Sequence, residues 1–293
     1  MQALIAIFAS MKKLWILLGA ALLCACQPEP HFFDGADNLY NLENGAVLTA
    51  KKARKAPGVY GQLQTDLFGQ PQAISFVRVR PEAYGIDILC GEGEQADSTS
   101  ALCLRYGAIA GINGSYFNMG ALTSQTFIKD DGVQVGSPAN RESFRTNGTV
   151  YVQQNGFSID ADVDTTAICW EAMGSGPILI DEGEISSYPE DKPNDNFYGV
   201  RHPRSLVGTD KEGYLWLVVV DGRNADAAGM TIGELTVLAC LIGLTDALNL
   251  DGGGSSTLWT LPGGVLNHPC DNKRFDAYGQ RRVPNVLALK KGN

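Results

Sequence analysis

The residues best placed to do chemistry are Asp221 and Asp251, each at the end of an apolar run and each followed by glycine. Two carboxylates gathered by a sheet can divide labour, one as acid or base and the other as nucleophile or orienter, because different surroundings tune them to different pKa values. Asp251 opens the loop Asp251-Gly252-Gly253-Gly254-Ser255-Ser256-Thr257. Three consecutive glycines are costly to order, so they suggest backbone that must approach a ligand, with successive N–H groups available as an anion nest. No Gly-Lys-Ser/Thr ending follows, so this is not a nucleotide phosphate loop. The competing reading is a tight turn, since Asp before glycine is also a turn former.

Cationic and neutral polar groups accompany these acids. In Arg201-His202-Pro203-Arg204-Ser205, two guanidinium forks could clamp a phosphate or carboxylate, while His202 beside proline reads either as a site residue or as a structural one. In Gly111-Ile112-Asn113-Gly114-Ser115-Tyr116-Phe117-Asn118, the residues Asn113, Tyr116 and Asn118 offer neutral hydrogen-bonding groups of the kind that read sugar hydroxyls, or else Asx-turn chemistry. Gly174-Ser175-Gly176-Pro177 reads as a loop entering a buried strand. Neither G-x-S-x-G, H-E-x-x-H nor G-x-G-x-x-G occurs, which disfavours α/β-hydrolase, zincin and dinucleotide chemistry.

The elements that must position these residues are mostly strands. Short apolar segments at 73–79, 84–89, 106–112, 149–153, 178–180 and 214–220 alternate with Gly, Asn and Asp punctuation. Two segments read as helices. One is 98–106; the other is 231–242, where Thr231 and Glu234 form a capping-box signature and Gly243 supplies the stop. The expected fold is α+β, a strand-rich single domain with a curved, mainly antiparallel sheet packed on a few helices. The polar stretch 188–198 reads as a long loop of the kind that rims a site.

A net charge of −9 and a pI near 4.8 argue against a nucleic-acid partner, so any anion site must be local. At the N-terminus, Lys12-Lys13, the apolar run 14–23 and Leu23-Cys24-Ala25-Cys26 resemble a bacterial lipoprotein signal. The expected organisation is a signal over 1–26, with Met11 as an alternative start and Cys26 as the lipidated residue, then a tether over 27–45 and one domain over 46–293. That places the protein in the cell envelope, exported and attached to the membrane through the lipid alone. Five cysteines follow Cys26, with no C-x-x-C pair, which excludes a zinc-finger pattern; only Cys90 and Cys103 are close enough to suggest a bridge.

The ordered set Asn113 to Asn118, Gly174 to Pro177, Arg201 to Arg204, Asp221-Gly222-Arg223, Thr231 with Glu234, and Asn249 to Ser256 resembles the phosphodiester glycosidase family. The likeness runs from about residue 70 to 290, is densest between Arg201 and Trp259, and includes the closing Arg281 to Asn285. The resemblance implies hydrolysis of an α-N-acetylglucosamine 1-phosphodiester at the sugar C1–O bond. It implies phosphate contacts from Arg201, Arg204 and Arg223. Ligand contacts would come from Asn113, Tyr116, Asn118, His202 and the Gly252-Gly253-Gly254-Ser255-Ser256 loop. It also implies catalysis by Asp221 and Asp251, with Glu234 as a reserve acid. The partner would be a glycan or sugar phosphate, on a cell-envelope, capsular or host glycan if the protein is exported. No cofactor is required by the sequence and no residue stands out as a metal ligand, a divalent cation being left open. A metal-dependent phosphodiesterase breaking P–O and a glycan-binding lipoprotein without turnover are the rival classes.

Overall fold

The computed structural model describes residues 32–136, 146–153, 156–187 and 196–292. The signal, Cys26 and most of the 188–198 loop lie outside them.

The strand Leu215–Val220 shows why the chain folds as it does. Its side chains alternate between two cores: Leu215, Leu217 and Val219 belong to one, and Trp216, Val218 and Val220 to the other. A strand buried on both faces must be an unbroken apolar run, and Leu-Trp-Leu-Val-Val-Val is one. It lies within an eight-stranded sheet whose spatial order is Asn38–Asn41, Gly58–Leu67, Gln70–Val79, Leu215–Val220, Arg204–Asp210, Leu244–Asn249, Ile178–Asp181 and Glu184–Ile185. The helix Ile232–Ile242 covers one face with Leu235, Leu238, Ala239 and Ile242.

Two five-stranded sheets close over the core on the other face. One runs Gly264–Val265, Leu258–Thr260, Ala110–Asn113, Asn285–Lys291, Tyr84–Cys90; the other runs Val133–Gln134, Ile128–Asp130, Glu171–Ser175, Gly148–Gln153, Gly156–Asp160. Ile112, Leu258, Leu287, Ile128, Val150 and Met173 meet Leu217 and Val219 there. The ladders joining these strands are antiparallel, as the strand-rich α+β reading requires.

The helix ends follow their local chemistry. Thr231 accepts the Glu234 N–H while the Glu234 carboxylate accepts the Thr231 N–H, and Gly243 closes the helix with a left-handed φ of 90°. The strand expected from 106 instead starts at Ala110, because Tyr106 caps the helix Thr99–Arg105. A larger correction concerns the tether expected over 27–45. Its described part is built into the fold: Asn38–Asn41 pairs with Gly58–Leu67, and Phe33, Leu39 and Leu42 are buried. Each such side chain contributes about 2 kcal/mol of apolar burial, enough to hold a short segment in place. Cys90 and Cys103 are both free thiols, so the suggested bridge does not form.

Candidate active site

Three buried asparagines fix the glycine loop. Asn113 Nδ2 donates to the Asp251 carbonyl at 2.7 Å, and its Oδ1 accepts from Ser205 Oγ at 2.7 Å and from the Thr257 N–H at 3.1 Å. Asn249 Nδ2 donates to the Tyr116 hydroxyl at 2.9 Å and to the Gly176 carbonyl at 2.8 Å. Asn267 Oδ1 accepts the Leu258 N–H, and its Nδ2 donates to the Ser256 carbonyl and to Asp221 Oδ1, both at 3.0 Å. An amide side chain can replace a ladder where a loop leaves the sheet, which satisfies buried backbone groups. Asn113 is therefore committed to the protein's own backbone and hydroxyls and is not available to a sugar.

The glycines are required by what crosses them. Gly253 has φ +64°, and a Cβ at Gly254 would fall 1.8 Å from Asp271 Oδ1 and 2.2 Å from the Arg281 guanidinium. Asp271 and Arg281 make a two-pronged pair there, at 2.7 and 2.8 Å. Beside this loop opens a cleft of about 610 Å³ lined by Asp251, Gly252, Gly253 and Gly254, by Arg204, Arg223 and Arg281, and by Tyr116, Phe197 and His202. With Arg281 paired to Asp271, Arg204 and Arg223 against Asp251 still make it locally cationic in an acidic protein.

The arginines are held differently. Arg204 is buried; its Nε donates to the Met230 carbonyl at 2.8 Å and its second fork to the carbonyls of Phe197 and Val200, so much of its donor capacity organises the cleft wall. Arg223, at φ +62°, reaches His202 Nδ1 at 3.2 Å. His202 Nε2 meets the Asn196 carbonyl at 2.6 Å. A guanidinium has only donors, so Nδ1 accepts and Nε2 carries the proton: His202 is neutral. Burial holds its pKa below the usual value, with Arg204 and Arg223 pulling the same way and the Asn196 carbonyl opposing them.

Asp251 takes the Gly252 N–H at 3.0 Å on one oxygen. Burial pushes its carboxyl up to about 6, against the Ser255 hydroxyl, Arg281, the Gly252 N–H and Arg204, which favour the charged form. It is the one carboxylate lining the cleft among the described residues. Asp221 is placed elsewhere. It is buried and accepts from Asn267 Nδ2 at 3.0 Å, from the His268 N–H at 2.9 Å and from His268 Nδ1 at 2.8 Å, while the His268 ring stacks on Phe275 at 3.7 Å. Asp221 thus anchors the loop beyond Asn267.

Other expected residues also fall outside the cleft. Glu234 binds Arg201 through both of its oxygens, with contacts of 2.9 and 3.1 Å to Nε, and Arg201 also donates to the Phe68 carbonyl. Burial alone would raise Glu234, but the Arg201 and Thr231 hydrogen bonds hold it below the usual carboxylate range. Asn118 closes a turn by accepting the Gly120 and Ala121 N–H groups. Ser255 and Ser256 are buried behind the glycines. Tyr116 lines the cleft, its hydroxyl tied to the Gly176 carbonyl at 2.5 Å. Arg281 and the apolar wall of Phe117, Met119 and Phe197 line the cleft though sequence reasoning did not single them out for the site, while Asp271 and His268, also not singled out, hold Arg281 and Asp221 respectively.

Comparison with known proteins identifies the same region. Residues 106–290 match the family model described as phosphodiester glycosidase. The bovine N-acetylglucosamine-1-phosphodiester alpha-N-acetylglucosaminidase is 26% identical over 200 residues, covering 62% of this chain and 37% of the relative. The human protein of the same name is 26% identical over 194 residues, covering 60% and 36%. The chain thus matches little more than a third of the length of these mammalian relatives. Among solved structures, the catalytic domain of the zebrafish enzyme of that name, auto-inhibited by its pro-peptide, has a TM-score of 0.63 at 20% identity, covering 80% of this chain and 83% of that one, which shows a shared fold.

Proposed function

The chain belongs to the phosphodiester glycosidase family, and from that premise we propose that it hydrolyses a sugar 1-phosphodiester of the α-N-acetylglucosamine type at the C1–O bond. The observation that carries this reading is a carboxyl poised near pH 6 in a cleft ringed by arginines.

An ordinary glycosidase needs two carboxyl groups, because its alcohol leaving group must be protonated as it departs. A phosphate monoester leaves as a stabilised anion, so cationic groups can replace the acid. Arg223 and Arg281 receive the developing phosphate charge, with Arg204 behind them. Asp251 takes a proton from water as its oxygen bonds to C1, and the C1–O electron pair leaves with the phosphate. The products are the free sugar and a phosphomonoester. A base with pKa near 6 is ionised at neutral pH and still accepts a proton readily. Neutral His202 and Tyr116 shape the sugar side.

Hydrolysis in oxygen-18 water tests the bond cleaved. Label in the sugar hydroxyl supports the proposal; label in the phosphate means P–O cleavage by a phosphodiesterase, and binding without product means a glycan-binding protein. The leader sequence supports an exported, Cys26-lipidated form acting on envelope, capsular or host glycans. Mass spectrometry of the protein from its native membrane tests that separately, an unmodified mature chain starting elsewhere being the contrary result.

A further inference from the structure

A second group of acids lies away from the cleft, on the sheet that contains Glu171–Ser175. The hairpin of Ile128–Asp130 and Val133–Gln134 turns through Asp131, which sits at φ +48°. Asp130, Asp131 and Glu171 each bring a carboxylate oxygen within 4.8 Å of the others. Acidic clusters on surfaces are common, but Glu171 is not on the surface: it is 6% exposed. Its Oε1 accepts the Asp131 N–H at 3.1 Å, while Oε2 is buried with no hydrogen-bond partner among the described residues. A buried carboxylate oxygen left without a donor is costly and calls for a cation or a proton. The neighbouring ammonium, Lys290, is already engaged with Asp87.

We propose that Asp130, Asp131 and Glu171 form a calcium site. Oxygens about 2.4 Å from one ion can stand up to nearly 5 Å apart, so these three fit one calcium shell without rearranging the backbone. The chemistry of the donors selects a hard cation. The converging donors are all carboxylate oxygens, Cys90 lying outside the trio. Three carboxylates leave coordination positions for water, which suits a dissociation constant between about 10⁻⁴ and 10⁻³ M, the range of extracellular modules. The ion would fasten the hairpin turn to the start of Glu171–Ser175. The far end of that strand leads to the Gly176 carbonyl that Tyr116 and Asn249 grip.

The site does not depend on the catalytic reading, so binding can be measured without any substrate. Chelator-treated protein is titrated with calcium by calorimetry, and with terbium, whose emission Trp170, next to Glu171, can sensitise. Saturable binding by the wild type, weakened at least tenfold in Glu171→Gln, is the expected result. Asp131→Asn, which keeps a side chain tolerant of the left-handed turn, should weaken binding as well and serves if Glu171→Gln does not fold. No saturation by about 10 mM calcium, well above the weakest extracellular sites, overturns the proposal. So does unchanged affinity in folded Glu171→Gln and Asp131→Asn.

Discussion

Asp221 and Asp251 occupy matching addresses. Each lies just past the end of a main-sheet strand, and those two strands flank Arg204–Asp210 on either side. Their fates differ because of the chain that returns to each of them in space. Asn267 and His268 fold back onto Asp221 and fill its oxygens with three donors. The three glycines after Asp251 have no side chains to do the same, so the Gly252 N–H and the Ser255 hydroxyl are its partners from the loop and its remaining face opens to the cleft. A strand end can thus present a carboxylate or consume it. The local sequence at the two aspartates is the same in kind; the returning loop decides.

That contrast is most easily broken at Asp251. Asp251→Asn is expected to lower turnover of a sugar 1-phosphodiester by about 10³-fold or more while circular dichroism stays native, the scale at which one charged group acting at the transition state is lost. In the wild type, kcat/KM should rise with pH through about 6, since the base must be ionised, and then level off. Near-native rates for the folded variant would remove Asp251 from the mechanism.

Asp221→Asn should act on the fold instead. Its amide would face the Asn267 and His268 donors with a donor of its own, costing about 2–3 kcal/mol by urea denaturation. A variant of normal stability but no activity would reverse the roles assigned to the two acids.

An effect of similar size and opposite sign sharpens the comparison through pH. Asp251 ionises near 3.8 when unfolded and near 6 in the fold, so its burial costs nothing below about pH 4 and reaches full cost above about pH 6. Asp251→Asn should therefore raise stability by roughly 2–3 kcal/mol at pH 7.5 and by little at pH 4. Equal changes at both pH values would mean that the carboxyl is not held up by burial. Least affected should be Glu234→Gln, which loosens an ion pair and a helix cap for about 1 kcal/mol and leaves turnover near normal. A large fall in rate there would bring Glu234 back as an acid.

Legibility in the sequence tracked how local each cause is. The helix Ile232–Ile242 is specified by Thr231, Glu234 and Gly243 within itself, and the Leu215–Val220 strand by its composition. The glycine loop was visible because three adjacent glycines have a conformational reason to be there. Arg281 is legible only as part of the closing segment of the family likeness, without a role, and His268 not at all: each lies in irregular chain, and its role exists only through a residue brought near by folding. Asn113 shows the opposite error. An amide side chain is equally suited to a sugar or a carbonyl, and only the position of the Asp251 carbonyl distinguishes them.

The sheet that contains Asn285–Lys291 has a consequence for how the molecule is made. That strand lies between Ala110–Asn113 and Tyr84–Cys90, and pairs Asn285 with Cys90, roughly 200 residues earlier. Tyr84–Cys90 therefore leaves the ribosome long before its ladder partner exists. A chain arranged this way cannot complete that sheet piecemeal as it emerges, and its exposed strand edge needs shielding until synthesis has passed Lys291.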